Sequence, residues 1–427
     1  MSASGASKPN LEIVIIGGGI AGLGLAIALH SQGFQCTVYE QAPEKGRFSG
    51  AIMLAPNSLR ILDTLGIYDR IRVKGWSFEA VAMKDMEGNT TDRIFLGSKK
   101  LFQYDVLRIY RNVFVKELQA ICHERGINVK YETKYSHIVE ERKDGVTFVL
   151  ADGTQINCTV LIAADGIHSK VRKHVYPDID PQYTGILVVC GAVKRNLLDV
   201  SEKDEMDGPV MYPGKNGAFV MAPQDFDASE YMAGTQRAFP AQTKEGWGKL
   251  AQDPKFLHGF LEEGIEDRQP IVQSAIRNID TDSIYIWAFH TLPKLPKWSS
   301  EGGRIIILGD AAHAIPPTTG QGANQALEDV YSLALLMATK SEGTTVAKAV
   351  EWWQQMRQER IDKLLELTSK LNNLRMPIEE QKKLEAGEIF QVEDGGSGEQ
   401  WRWLFNPELE TRITEWCQQQ ENLELVE

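Results

Sequence analysis

The chain has 427 residues, of which 43% are hydrophobic and 24% are charged. These proportions are typical of a folded globular protein, and the length allows two or three domains with a large core. The net charge of −12 argues against a general affinity for nucleic acid or anionic membranes, because both repel a negative protein surface.

The cysteines and the N-terminal segment indicate in which cellular compartment the protein is expected. Five cysteines are widely scattered, without C-x-x-C spacing, which favours reduced thiols and argues against a zinc or iron–sulfur site. Residues 1–10 lack the basic and apolar segments of a signal peptide. The apolar stretch 13–29 contains five glycines, which favours a strand–turn–helix over a membrane span. We therefore expect a cytoplasmic monomer or homodimer with no metal site and no nucleic-acid or membrane partner.

The first elements in chain order predict a βαβ unit. Residues 11–16 form a short apolar run typical of a buried parallel strand. Residues 23–29 follow as a hydrophobic helix that stops near Gly33, and residues 35–40 form the next strand. A unit of about 30 residues is the length that a parallel crossover requires.

Glycines fill the turn of this unit in the pattern Gly17-x-Gly19-x-x-Gly22. In such a turn the first glycine allows a tight bend, the second lets a pyrophosphate approach the backbone, and the third lets helix and strand pack closely. Glu40 ends the next strand and can accept hydrogen bonds from ribose hydroxyls. The pattern predicts a dinucleotide site, with FAD and NAD both open.

The following segments continue the same domain. Residues 112–125 carry apolar residues on one helical face and stop at Gly126. Two strands then flank an Asp-Gly turn at 152–153 and lead into a buried strand at 159–164. A third buried strand at 304–308 opens a helix near Gly320.

Between these pieces the pattern changes. Residues 185–286 alternate between short strands and turns, which predicts a second domain with a mainly antiparallel sheet. From residue 341 the chain is mostly amphipathic helix. The predicted fold is thus α/β, with a discontinuous Rossmann-type nucleotide-binding domain (1–77, 105–184 and 300–340), a mainly antiparallel β-sheet substrate domain (78–104 and 185–299) and a C-terminal helical region (341–427).

Two further motifs place an aspartate and a glycine after a buried strand. They are Asp165-Gly166 and Gly309-Asp310, and the second is followed by a Gly-Gln-Gly segment that starts at Gly320. Open α/β sheets bind ligands at the carboxyl ends of their strands. Asp310 can bind the ribityl hydroxyls of a flavin, and the helix N-terminus beyond it stabilises the negative charge of a reduced flavin. Three such motifs in one chain favour a flavin nucleotide over NAD.

These segments carry a family resemblance. The stretches GGGIAGL, AADGIHSKVR and GDAAHAIPPTTGQGANQALED, within residues 10–340, resemble the FAD-dependent aromatic hydroxylases, single-component flavoprotein monooxygenases related to p-hydroxybenzoate and salicylate hydroxylases. The resemblance implies FAD as cofactor, with NADPH or NADH as a transient electron donor. The cofactor-binding residues that it implies are Gly17, Gly19, Gly22, Glu40, Arg47, Arg111, Asp165, Gly166, Asp310, Gly320, Gly322 and Ala323.

The family places an arginine of an R-x-x-L-x-x-x-L helix against FAD. Arg111 matches it, with Phe114 in place of the first leucine and Leu118 as the second. Arg108, one turn earlier in this interpretation, is the weaker candidate. The resemblance also places Arg47, seven residues after Glu40, near the flavin, in a loop that is variable in the family.

The resemblance further implies a reaction in which NAD(P)H reduces FAD, O2 adds at flavin carbon 4a, and the hydroperoxide hydroxylates an aromatic or polyketide/alkaloid-type small molecule. The chain contains no HExxH or GxSxG motif, in keeping with chemistry carried by a cofactor. Epoxidation, Baeyer–Villiger oxygenation and a non-oxygenating flavin oxidoreductase stay open as alternatives, as does a flavoprotein scaffold. The WxWxIP motif of flavin halogenases is absent.

Substrate residues are predicted from the second domain. Strand alternation suggests that Val210 and Tyr212, followed by Phe219 and Met221, face the substrate, and Tyr212 could assist a phenolic substrate or simply pack in the sheet. His290 precedes the Leu-Pro-Lys-Leu-Pro stretch, where many relatives have an Asp-Arg pair, and the resemblance implies that Pro317 lies on the oxygen side of the flavin. Tyr212, His290 and Pro317 are therefore the candidate catalytic residues. Residues 378–427 hold 4 basic and 13 acidic side chains, which predicts a solvated helical face or a partner-binding tail.

Overall fold

Five short parallel strands form the central sheet of the computed structural model, which describes residues 11–45, 50–204, 206–391 and 398–424. Their order across the sheet is β18-β12-β1-β2-β8. Most of their side chains are buried because helices cover the faces of a parallel sheet. The strands are β1 (Ile13–Ile16), β2 (Cys36–Tyr39), β8 (Asn128–Lys130), β12 (Val160–Ala163) and β18 (Ile305–Ile307).

Three long helices pack around this sheet. Helix α1 (Ile20–Ser31) contacts both α5 (Arg111–Glu124) and α11 (Gly322–Thr339). Helix α1 begins three residues before the predicted start, because Gly19 already serves as its N-cap. The shorter helices of this part are α2 (Pro56–Thr64), α3 (Tyr68–Ile71), α4 (Lys99–Phe102), α6 (Lys170–Val175) and α10 (Asp310–His313).

Two further sheets have three antiparallel strands each. The first has the order β11-β10-β9 and contains the predicted Asp-Gly turn at 152–153 between two of its strands. The second, called the small sheet below, has the order β3-β7-β4. The strands are β3 (Ala51–Leu54), β4 (Trp76–Phe78), β7 (Val106–Tyr110), β9 (Tyr135–Glu141), β10 (Val146–Leu150) and β11 (Gln155–Cys158).

A seven-stranded sheet, called the large sheet below, has the order β17-β13-β16-β15-β14-β5-β6. All neighbours are antiparallel except β14 and β5. The predicted α/β class with a mainly antiparallel second sheet is therefore confirmed. The strands are β5 (Ala80–Lys84), β6 (Thr90–Phe95), β13 (Gln182–Lys194), β14 (Val210–Tyr212), β15 (Phe219–Pro223), β16 (Glu230–Ala238) and β17 (Tyr285–Thr291).

Helices interrupt the segment 185–286, for which only strands and turns were predicted. They are α7 (Lys244–Leu250), α8 (Pro254–Glu262) and α9 (Pro270–Arg277). Each of α8 and α9 starts with proline at its first position, a favourable place because that N–H lacks an intrahelical partner. Their apolar faces form a second core with one face of the large sheet.

The C-terminal region is helical, as expected. Its elements are α12 (Val346–Asn373), α13 (Ile378–Gln381), α14 (Arg402–Phe405) and α15 (Leu409–Glu424). Helix α15 packs on α11, and Trp352 stacks on Trp416 with ring centroids 4.8 Å apart. Apolar side chains of α14 and α15 thus belong to the main core, whereas α13 has no buried residue. Within the described ranges, no helix is both long and apolar enough to cross a bilayer.

Candidate functional site

The turn between β1 and α1 is shaped as an anion cradle. Gly17 has φ +108°, and a Cβ on it would lie 2.4 Å from the Ala164 carbonyl oxygen. A Cβ on Gly22 would lie 1.8 Å from the Gly17 carbonyl oxygen, whereas a Cβ on Gly19 would meet nothing within 4 Å. Gly17 and Gly22 therefore need to be glycine for packing, while Gly19 faces open space in front of the N–H groups of α1.

Two acidic side chains border this cradle. The Glu40 carboxylate accepts hydrogen bonds from the backbone N–H of Gly18 at 2.5 Å and of Ala42 at 2.7 Å. Asp165 follows β12, and its Oδ2 accepts from the N–H of Lys170 at 2.9 Å. Its Oδ1 is buried without a partner among the described residues, and burial raises the pKa of this carboxyl. Asp165 thus has an acceptor oxygen left for a ligand.

Asp310 lies at the end of β18, as predicted. Its side chain is accessible to solvent although protein surrounds it, which is the situation of a group at the bottom of a cleft. Burial raises the pKa of Asp310, while nearby His313 and Arg111 act in the opposite direction. Arg111 is the first residue of α5, and its N–H donates to the Gly50 carbonyl at 3.2 Å. The structure therefore brings Asp310 and Arg111, 199 positions apart in the sequence, to one site.

The loop from Pro317 to Gln321, called the Gly320 loop below, leads into α11. Gly320 has φ +63°, and a Cβ there would lie 2.2 Å from Met53 Cε. Asn324 fixes the loop, because its amide Nδ2 donates to the carbonyls of Gly320 at 2.7 Å and Met53 at 3.0 Å. A Cβ on Gly322 would lie 3.8 Å from Asp310 Oδ1. The N-terminus of α11 and Asp310 therefore face the same space.

Comparison with known proteins agrees with this geometry. A family model described as an FAD-binding domain matches residues 10–368. The chain belongs to this FAD-binding family.

Named relatives and a solved structure extend the match. The chain is 31% identical over 329 residues to the 3-amino-4-hydroxybenzoate 2-monooxygenase PtmB3 of Streptomyces platensis, which covers 76% of this chain and 79% of the relative. It is 26% identical to a salicylate hydroxylase of Pseudomonas putida, over 97% of this chain and 96% of that protein. The fold is similar to that of CtdE, whose crystal structure is in complex with FAD and a substrate, with a TM-score of 0.78, 20% identity and coverage of 98% and 100%. The predicted family, FAD cofactor and FAD-dependent monooxygenase class are confirmed.

The residues present fit the FAD of this family. The open cradle at Gly19 suits a pyrophosphate, and the free Oδ1 of Asp165 suits a hydroxyl donor. Asp310, Arg111 and the N-terminus of α11 border a further space near the end of β18, the strand next to β12. The individual roles predicted for these residues, and for Gly166, Gly320 and Ala323, stay predictions. Arg47 lies outside the described residues.

A buried charge network behind the site was missed at the sequence level. Glu328 and Asp329 on α11 are fully buried and pair with Arg357 of α12, whose side chain is also fully buried. Asp329 Oδ2 accepts hydrogen bonds from the Gly309 N–H at 3.0 Å and from His313 Nε2 at 2.5 Å. The network therefore holds the segment that carries Asp310. The adjacent acidic pair in the otherwise apolar stretch QALEDVYSLALLM was the available signal.

The face of the large sheet that carries Tyr212 does not line the site, contrary to the prediction. Tyr212 is 1% exposed, packs in the core beneath α8 and α9, and donates to Asp204 Oδ1 at 3.0 Å. Val210, Phe219 and Met221 lie in the same core. The prediction that these four residues line the substrate pocket is wrong, because period-two alternation identifies two faces but not which face is covered by helices.

The opposite face of the large sheet looks toward the Gly320 loop. Met211 on this face lines a cavity together with the loop, the end of α12 and α14. The walls are mostly apolar, with Arg375 as the charged member. The lining residues are Val81, Ile94, Leu96, Met211, Thr318, Thr319, Gln321, Leu371, Leu374, Arg375, Trp401, Leu404 and Phe405.

The other two catalytic candidates are placed as follows. Pro317 begins the 3-10 turn Pro317–Thr319 of the Gly320 loop, next to this cavity. His290 lies near the end of β17, with its ring 5.5 Å from that of Tyr183 and its Nδ1 2.9 Å from the Ala288 carbonyl. A catalytic role for either residue stays a prediction.

Proposed function

We propose that this protein hydroxylates an aromatic or polyketide/alkaloid-type small molecule with consumption of NAD(P)H and O2. One observation carries the proposal: Asp310, Arg111 and the N-terminus of α11 converge beside a mostly apolar cavity that the Gly320 loop helps to line. The two relatives above, a salicylate hydroxylase and an aminohydroxybenzoate monooxygenase, support an aromatic substrate.

In this proposal different residues bind FAD and stabilise the charge on its ring. The Gly17–Gly22 turn and the Asp165 and Asp310 carboxylates bind FAD, and the positive end of α11 favours negative charge on its ring. Bound FAD supplies electron transfer and oxygen activation, which side chains cannot provide. Residues 1–77, 105–184 and 300–340 form the FAD domain, 78–104 and 185–299 the substrate domain, and 341–427 the helical region that contributes Trp401 to the cavity wall.

The cavity walls orient the substrate and exclude water. Met211, Leu371 and Phe405 present apolar surface to the cavity, while Thr318 and Gln321 offer polar atoms from the loop. Arg375 donates to the Thr318 carbonyl at 3.1 Å and thereby ties the end of α12 to the loop. The C-terminal helices thus close the site in this proposal.

The test is oxygen incorporation by the purified, FAD-loaded protein. A panel of aromatic metabolites is screened for faster NADPH or NADH oxidation, and hits are repeated under 18O2 with product mass analysis and quantification of H2O2. One labelled oxygen atom in a ring hydroxyl supports the proposal. Ring expansion to an ester identifies a Baeyer–Villiger oxygenase, an epoxide identifies an epoxidase, and oxidised product without label identifies a non-oxygenating oxidoreductase.

A further inference from the structure

Gln321 ends the Gly320 loop, serves as the N-cap of α11 and lines the cavity with its side chain. Its Oε1 accepts hydrogen bonds from Asn57 Nδ2 at 3.2 Å and from Gln325 Nε2 at 3.3 Å. Its Nε2 has no hydrogen-bond partner among the described residues. Because the oxygen and the NH2 group of an amide point in different directions, Gln321 turns two N–H donors away from Asn57 and Gln325.

A buried carboxylate fixes the direction of these hydrogen bonds. Burial alone would raise the pKa of Glu328, but Arg360 and Arg357 outweigh it and lower the pKa. The carboxylate is therefore ionised near neutral pH and can only accept hydrogen bonds. Its Oε1 accepts from Asn57 Nδ2 at 2.6 Å and from Gln325 Nε2 at 3.1 Å. Both amides therefore hold their NH2 groups at the Glu328 carboxylate.

A buried guanidinium imposes the same orientation from the other side of Gln325. A guanidinium can only donate, and Arg357 Nη2 donates to Gln325 Oε1 at 2.7 Å. Gln325 thus keeps its oxygen at Arg357 and its Nε2 at Gln321. If the Gln321 amide reversed, its NH2 group would oppose the NH2 groups of Asn57 and Gln325, and both hydrogen bonds would be lost. The two charges therefore hold Gln321 in a single orientation.

The threonines of the Gly320 loop that line the cavity have already used their hydroxyl hydrogens. Thr318 Oγ1 donates to Asn372 Oδ1. Thr368 Oγ1 donates to the Leu364 carbonyl at 2.7 Å, so Thr319 is the donor in its 3.4 Å pair with Thr368. Among the polar side chains of this loop that line the cavity, Gln321 is therefore the one with N–H donors to spare.

We propose that Gln321 Nε2 donates a hydrogen bond to an uncharged acceptor oxygen of the substrate, such as a ketone carbonyl, and thereby determines specificity. The proposal rests on the proposed function for the role of the cavity, but it concerns binding alone. The walls around Gln321 are mostly apolar, and a donor in such a setting gains most from an acceptor. A carbonyl oxygen suits it because it has lone pairs and no hydrogen that needs a partner of its own.

The test compares ketones with hydrocarbons of the same shape on the FAD-loaded protein, without NAD(P)H. Acetophenone and α-methylstyrene form one pair, and 1-indanone and 1-methyleneindane form the other; within each pair a carbonyl oxygen is replaced by a methylene group. Each compound is titrated by calorimetry into wild type, Q321M and the control Q242M. Gln242 lies in a different loop, where its Nε2 donates to the Pro240 carbonyl at 3.1 Å.

The measured quantity is the ratio of ketone affinity to hydrocarbon affinity, which cancels the different hydration of the two compounds when variants are compared. We expect the same ratio in wild type and Q242M, and a ratio about 3- to 10-fold lower in Q321M, the size of one hydrogen bond. The hydrocarbon affinity of Q321M should stay within about twofold of wild type, because methionine has a similar length and leaves the cavity intact.

An unchanged ratio in Q321M would overturn the proposal, because another donor would then hold the oxygen. Failure of both ketones to bind wild type up to their solubility would overturn it as well. Because no turnover is measured, a lowered ratio stands even where the 18O2 experiment finds no oxygen transfer. An unchanged ratio together with a labelled hydroxyl product would remove this role of Gln321 and leave the proposed function in place.

Discussion

Replacing Arg357 with methionine removes the cation that holds two buried carboxylates of α11. The Arg357 Nε donates to Asp329 Oδ1 at 2.8 Å, Nη1 donates to Glu328 Oε2, and Nη2 donates to Gln325 Oε1 at 2.7 Å. Breaking a buried pair by removing one partner costs about 3–5 kcal/mol. In this variant Glu328 keeps its ion pair with Arg360, and Asp329 keeps its hydrogen bonds from His313 and from the Gly309 N–H. We therefore expect R357M to lower the free energy of unfolding by the lower end of this range, about 3 kcal/mol.

The same change should reach the FAD site, because Asp329 also holds the Gly309 N–H just before Asp310. We expect FAD affinity to fall by about fivefold, the effect of weakening one hydrogen bond by about 1 kcal/mol. R360M is the matched control, since Arg360 lies one turn along α12 and pairs with Glu328 but not with Asp329. Its FAD affinity should stay near that of wild type.

The measurements are urea denaturation with saturating FAD and FAD titration by fluorescence quenching. Burial alone would raise the pKa of Asp329, but His313 and Arg357 outweigh it and lower the pKa. The stabilisation is therefore fully present above the unfolded-state value of about 4 and is lost as the pH falls through the lower folded-state value. The stability gap between wild type and R357M should shrink on acidification. Equal FAD affinity in R357M and R360M would refute the link between Asp329 and the site.

Three further predictions concern the FAD site directly. In G22A the new Cβ collides with the Gly17 carbonyl oxygen, so the purified protein should lose FAD. In the control G248A the new Cβ has no atom within 4 Å, so this variant should keep FAD. The absorbance of the purified proteins at 450 nm measures the bound FAD. In D310A a ribityl hydroxyl loses its acceptor, and FAD titration should show a loss of about 1.5–3 kcal/mol; undiminished affinity removes Asp310 from the site. In R111A the fold should persist by circular dichroism while stopped-flow reduction of FAD by NAD(P)H slows, and wild-type reduction rates would contradict the assignment.

The cofactor half of the site could be predicted because its signals are local. Gly17 and Gly22 are required by contacts within a single βαβ turn, and both constraints are visible as spacing. Asp165 and Asp310 follow buried strands, and parallel strands bring their carboxyl ends to one edge. Arg111 is different, because it follows β7 of the antiparallel small sheet, and only the family resemblance pointed to its place near Asp310.

The substrate half could not be predicted because it depends on which face of the large sheet is covered. Tyr212 and Met211 are neighbours on β14, yet one packs beneath helices and the other lines the cavity. The choice is made by α8 and α9, whose short amphipathic segments resemble the strands and turns around them. A one-residue change of phase moves every side chain of a strand to the other face. The wrong assignment of Tyr212 therefore carried Val210, Phe219 and Met221 with it.

Arg357 and Arg108 are two arginines with different surroundings in this fold. Arg357 meets two carboxylates of the same chain, so its charge is satisfied internally and supports the backbone that carries Asp310. Arg108 Nη2 contacts the Met232 thioether at 3.4 Å, and its Nε has no hydrogen-bond partner among the described residues. Both are arginines in periodic apolar segments, and the sequence cannot tell them apart because their partners lie far away along the chain.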